Sequence, residues 1–79
     1  MKIICPCPEL FSKKALKILT DNKLFNCKFV KMKQKKFNKI VSNYDVVLTR
    51  FNHKIKFRKN IKFIISPTTG LDHIDKKFF

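Results

Sequence analysis

Apolar residues gather along this chain in four short clusters, separated by two stretches of helical periodicity. Lys2-Ile3-Ile4-Cys5, closed by Pro6 and Pro8, predicts a first strand buried on both faces. Residues 12–21 predict a helix with Ser12 as its N-cap and Asn22 as its stop. Ala15, Leu16, Ile18 and Leu19, with Phe11 one turn earlier, give that helix a broad apolar face. Residues 27–31 alternate loosely and predict a second, less buried strand. Phe37, Ile40 and Val41 recur at i, i+3 and i+4 within residues 34–42, a second and weaker helix with its lysines outward. The clearest strand lies within 44–50, where Val46-Val47-Leu48 is an apolar run of central-strand type. Residues 51–60 are polar and basic and read as an irregular link, and 61–66 form the last strand, ended by Pro67.

The order is β-α-β-α-β-(short link)-β. Strands alternating with helices of this length imply parallel pairing through right-handed crossovers. The expected class is therefore α/β, an incomplete flavodoxin-like parallel sheet in three layers. Residues 1–79 form a single partial domain, and with two crossover helices one sheet face is thinly covered. A chain of 79 residues, 44% hydrophobic, carries a modest core. Domains of this size bury roughly 60–65% of the unfolded surface. Nine phenylalanines and no tryptophan make the core rich in Phe and Ile. No apolar run approaches the ~18 residues of a membrane span, and the first residues are too short for a signal peptide. A cytoplasmic protein without membrane attachment is expected.

The net charge of +14 raises nucleic acid as a partner. Yet all the basic residues except Arg50 and Arg58 are lysine, and base and phosphate recognition favours arginine's bidentate fork. The lysines are also scattered, which fits solvated positions. The nucleic-acid alternative rests on Lys31, Lys33, Lys35, Lys36 and Lys39 as phosphate contacts, with Phe37 interleaved, and helical spacing assigns Phe37 to the core. The three cysteines are an odd number, and Cys5-Pro6-Cys7 has no second ligand pair in sequence; Cys27, His53 or His73 would have to be recruited. Reduced, partly buried thiols and no metal are expected.

The chain's one glycine, Gly70, follows the last strand in Ser66-Pro67-Thr68-Thr69-Gly70-Leu71-Asp72. In open α/β sheets ligands sit outside the carboxyl ends of the strands, where the exits of the third strand (Thr49-Arg50-Phe51-Asn52) and the fourth converge. Exposed N–H groups in a turn hold a carboxylate, a nearby arginine neutralises it, and Asp72 is placed to cap a following helical turn.

Tyr44-Asp45-Val46-Val47-Leu48-Thr49-Arg50, about a dozen residues, and then Asn60-Ile61-Lys62-Phe63-Ile64-Ile65 leading to Gly70-Leu71-Asp72-His73-Ile74-Asp75 resemble a known pattern. It is the N-terminal substrate-domain segment of the D-isomer-specific 2-hydroxyacid dehydrogenases. Two departures stand out. Thr68 occupies the position of the turn's first glycine, and the link before the last strand is short. The resemblance implies that the main-chain N–H groups of Thr69 and Gly70 bind a substrate carboxylate while Arg50, Phe51 and Asn52 line the cleft. It implies hydride transfer between a nicotinamide cofactor and a small 2-hydroxy or 2-oxo acid in the complete enzyme.

No G-x-G-x-x-G turn is present, and neither histidine matches the family's catalytic one. By this reading the chain holds no NAD(P) site and no catalytic residue, is inactive alone, and is completed by a cofactor-binding domain or second chain. His73 is then a structural hydrogen-bonder and His53 a solvated link residue. Two other readings stay open. One is the small basic nucleic-acid-binding module. The other is a non-catalytic interaction domain that forms a homodimer through an unpaired sheet edge or an uncovered face.

Overall fold

The computed structural model describes residues 1–50, 53–66 and 73–78. Four strands, β1 (Lys2–Cys5), β2 (Asn26–Phe29), β3 (Val46–Leu48) and β4 (Phe63–Ile65), pair in the order β2-β1-β3-β4. Every pairing is parallel, so the chain is an α/β protein built on one parallel sheet. Helix α1 (Lys13–Thr20) connects β1 to β2, and α2 (Gln34–Ile40) connects β2 to β3. A parallel pair needs such a crossover because a tight turn cannot return the chain to the same end of the sheet.

The strand alternation sorts the core into two clusters. Ile4 and Val47 point to one face, where they pack with Phe37 and Val41 from α2 and its continuation. Ile3, Cys5, Val46 and Leu48 point to the other, against Phe11, Leu16 and Leu19. The helices therefore lie on opposite faces, and each covers part of the sheet. On the α2 side, β2 presents the exposed Asn26 and Lys28. On the α1 side, β4 presents Phe63 and Ile65, 58% and 44% exposed. The thin cover expected from two helices is thus localised: it is polar at one corner and apolar at the other.

Helix α1 starts where Ser12 predicts it, the Ser12 Oγ accepting from the Ala15 N–H at 3.1 Å. Its apolar face is narrower than the sequence suggests. Only the i, i+3 row of Leu16 and Leu19 packs on the sheet; Ala15 is exposed and Ile18 is 67% exposed. Two helical turns lay one row against the strands, and the second row has nothing above it. With no buried residue in α1, its cap carries much of its local stability. Ser12→Ala is expected to cost about 1 kcal/mol, read as a shift of the urea midpoint with unchanged slope. An unshifted midpoint would show that α1 contributes nothing to the cooperative unit.

Helix α2 ends earlier than expected. After Ile40 the chain tightens into a 3-10 turn, Val41–Asn43, which delivers Tyr44 into extended backbone. Strand β3 is correspondingly shorter than 44–50, because Asp45 acts as a junction before it. The Asp45 carboxylate accepts the Lys2 N–H at 2.9 Å, and its carbonyl accepts the Lys62 N–H at 2.7 Å. The Asn60 side-chain amide donates to the carbonyls of Ser42 at 3.0 Å and Tyr44 at 2.9 Å, fastening the link below the sheet.

The link itself departs most from expectation. Ile55 is buried at 2% exposure and forms a parallel bridge with Ile74. His53 is buried, not solvated, because the link folds back over α2 and places its ring edge-on to Phe37 at 5.6 Å. Among the described residues no helix is long and apolar enough to cross a membrane.

Candidate functional site

Parallel strands bring their carboxyl ends to one rim, and the rim is most open where neighbouring strands leave toward opposite faces. Here that point lies between β1 and β3, since β1 continues to β2 on one side while β3 pairs on the other. The residues that leave these strands are Pro6-Cys7 after β1, Val30-Lys31-Met32 after β2, and Thr49-Arg50 after β3. Backbone hydrogen bonds knit them together. Val30 N–H donates to the Cys5 carbonyl at 3.2 Å, Met32 N–H to the Pro6 carbonyl at 3.0 Å, and Thr49 N–H to the Ile65 carbonyl at 2.9 Å.

Cys7 sits at the centre of this rim. The Cys5 thiol, the Arg50 N–H, the Thr49 hydroxyl and the His53 imidazole surround its Sγ, and each favours the thiolate over the thiol. The Cys5 contact is the largest cause holding the Cys7 thiol below its ordinary value, and together these contacts outweigh the opposing cost of burial. Cys5 moves the other way. It donates to Cys7 and is buried, and both raise its thiol. The Thr49 hydroxyl donates to the Arg50 carbonyl at 2.9 Å. Cys27, by contrast, is pushed up by burial alone.

His53 closes the rim. Its Nε2 lies 2.6 Å from the Met32 carbonyl oxygen. A carbonyl only accepts, so Nε2 carries the proton. Its Nδ1 is buried and has no hydrogen-bond partner among the described residues. Cys7 and His53 both line an open cleft of about 500 Å³, with Glu9, Lys31 and Lys33 around its mouth.

Of the residues singled out by sequence, Arg50 is half-buried at this rim, one residue beyond Thr49. Phe51, Asn52, Thr69, Gly70 and the proposed cap Asp72 lie outside the described residues. His73 has the structural role expected of it: it is buried, with its Nε2 2.9 Å from the Ser66 Oγ. The sequence led to the expectation of reduced, partly buried thiols and did not bring Cys7 or His53 to the rim where it placed Thr49 and Arg50. The available signal was position, because Cys-Pro-Cys closes a strand buried on both faces at the edge where α/β sheets carry ligands. Among the described residues no group of three His, Cys, Asp or Glu is arranged to hold a metal ion.

The lysines of α2 form a separate feature. Lys33, Lys35, Lys36 and Lys39 surround a shallow basic depression. Phe37 points into the core at 1% exposure, so the depression has no stacking platform from that residue.

The class defined so far is an α/β protein with a polar, cysteine-bearing rim at its strand switch point. Compared with protein-family models, curated proteins and solved structures, the chain matches none.

Proposed function

We propose that this chain supplies the carboxylate-binding rim of a D-2-hydroxyacid-dehydrogenase-like substrate domain. The observation that carries this reading is the pairing of β3 with β4. Leu48 lies opposite Ile65 and the Thr49 N–H bonds the Ile65 carbonyl, so Arg50 and the segment entered through Ser66 leave adjacent strands at the same rim. An arginine beside a turn that follows a parallel strand is suited to a small 2-hydroxy or 2-oxo acid. The protein acts in the cytoplasm by this reading.

The residues present do not fit a nicotinamide dinucleotide. The first β–α turn of a dinucleotide site offers N–H groups and glycines to a pyrophosphate. Here that turn holds Pro6 and Pro8, which have no N–H, and Glu9 stands in the first turn behind them. Cofactor binding and the hydride step therefore belong to a separate domain or second chain, and this chain's part is to hold the acid.

Titration of the ¹⁵N-labelled protein with glyoxylate, pyruvate and D-lactate tests the reading. Amide shifts are expected to concentrate at Thr49, Arg50 and Ser66, and Arg50→Gln is expected to weaken binding about tenfold or more, the scale of a charge-assisted hydrogen bond. Arg58, whose Nη2 contacts the Asn38 carbonyl at 3.4 Å, is the control for bulk charge. Equal weakening by Arg58→Gln, or equal shifts with chloride, would reduce the interaction to non-specific anion attraction and end the proposal.

A further inference from the structure

The acid-binding reading leaves the paired thiols and the unpartnered nitrogen of His53 unused. We propose that Cys5 and Cys7 form a redox-active dithiol, in which Cys7 is oxidised by a small hydroperoxide seated against His53 and Cys5 resolves the product to a disulfide.

Three observations converge. First, the two cysteines stand at i and i+2 on either side of the bend at Pro6 that follows β1, and both belong to the α1-side cluster. Both are buried free thiols. Two residues span at most about 6.6 Å, and the bend at Pro6 shortens that, so the Cα atoms stay within the separation a disulfide accepts while the ring closed through Pro6 alone is small. Such a bond forms with strain and is readily reversed by thiol reductants. Secondly, Cys7, though only 1% exposed, lines a cleft that admits a small polar molecule, and Cys5, at 0%, is not among the residues that line it. The outer thiol is placed to attack and the inner one to resolve. Thirdly, His53 lines the same cleft at 6% exposure, and its Nδ1 has no hydrogen-bond partner among the described residues. A buried ring nitrogen with nothing to bond fits a hydroxyl-bearing visitor.

The chemistry balances. The Cys7 thiolate attacks one peroxide oxygen, an S–O bond forms and the O–O bond breaks. The sulfur is oxidised by two electrons, the peroxide is reduced, and the departing oxyanion takes a proton from water. Cys5 then attacks the sulfenic sulfur. The S–S bond forms, the S–O bond breaks, and the Cys5 proton leaves with the hydroxyl as water. Two equivalents of a small thiol restore the reduced pair.

Cys27 is the internal competitor, since it is the most exposed of the three. The whole chain, treated with one equivalent of hydrogen peroxide at neutral pH and digested with trypsin, gives a peptide of residues 3–13 that carries both Cys5 and Cys7. That peptide is expected to lose two hydrogens while Cys27 remains a free thiol. Cys5→Ser is expected to stop at a Cys7 sulfenic acid, trapped by a cyclic 1,3-dione. His53→Gln, which keeps a donor for the Met32 carbonyl, is expected to slow oxidation of Cys7 by about tenfold or more and leave Cys27 unchanged. Alkylation of Cys7 by iodoacetamide is expected to titrate below the ordinary thiol value of about 8.5, and that of Cys27 above it. If Cys27 oxidises as fast as Cys7, or disulfides form mainly between chains, the proposal fails. Should Cys5→Ser not fold, the competition between Cys7 and Cys27 in the unaltered chain decides the matter alone.

Discussion

Phe37→Ala is expected to remove about 3–5 kcal/mol of stability, the cost of emptying a large aromatic site in a packed core. Phe37 heads the largest fully buried side chains among the described residues and is 1% exposed. It is the one fully buried residue of α2 and packs in the same cluster as Ile4, Val47 and Ile55. Its removal therefore loosens the helix, the central strands and the link together. A domain of this length has on the order of 4–12 kcal/mol in total. The variant is expected to keep little of its cooperative transition, measured by urea unfolding followed by circular dichroism. Phe37→Leu restores most of the volume and is expected to cost less than about 1.5 kcal/mol. The leucine variant also lacks the aromatic ring that meets His53 at 62°, so it separates packing from the effect on that ring. A loss below about 1 kcal/mol for Phe37→Ala would contradict the placement of α2 over the sheet.

Ile55→Ala is expected to cost about 2–5 kcal/mol, with a local signature that Phe37 lacks. Ile55 is buried within the same cluster and also pins two distant segments by its backbone. Its N–H donates to the His73 carbonyl at 2.7 Å, and its carbonyl accepts the Asp75 N–H at 2.8 Å. Beyond that bridge the Asp75 carboxylate accepts the N–H groups of Lys77 at 3.0 Å and Phe57 at 3.2 Å, and these contacts hold its carboxyl below the ordinary range. Loss of the isoleucine side chain is expected to raise amide exchange at residue 55 and at Asp75 before global unfolding does so. Unchanged protection at those two amides would show that the closing segment is held by something other than this bridge.

These two residues also mark what the sequence made legible and what it did not. Phe37 was readable because Ile40 and Val41 stand with it at helical spacing, and a row of that kind needs a core on one side. Strands β1 and β3 were readable for a similar reason, since an unbroken run such as Val46-Val47-Leu48 suits a position covered on both faces. Ile55 gave no such signal. It is a single apolar residue between Lys54 and Lys56, and its burial depends on Ile74 arriving from the far end of the chain. His53 failed in the same way. Its partners, Met32 and Phe37, come from the exit of β2 and from α2, so no local pattern announces them. The strand limits moved where one residue tied segments across the fold, as Asp45 does with its carboxylate on Lys2 of β1 and its carbonyl on Lys62 before β4. At the rim, Arg50 could be placed from sequence because it ends a readable strand. The Cys7 environment could not, because it is assembled from Cys5, Thr49, Arg50 and His53, which lie on three separate segments.

The sheet's pairing scheme sets the terms on which this chain can fold. Among the described residues no strand pairs through a hairpin, and β1 meets β3 across more than forty residues, as Ile3 opposite Val46. Each strand must therefore wait for a crossover to close before any pairing rewards it, which favours slow assembly. During that wait, phenylalanine- and isoleucine-rich segments stand open to other copies. A charge of +14 keeps those copies apart, so the lysine excess acts as colloidal protection for the unfinished chain as well as clothing for the finished one.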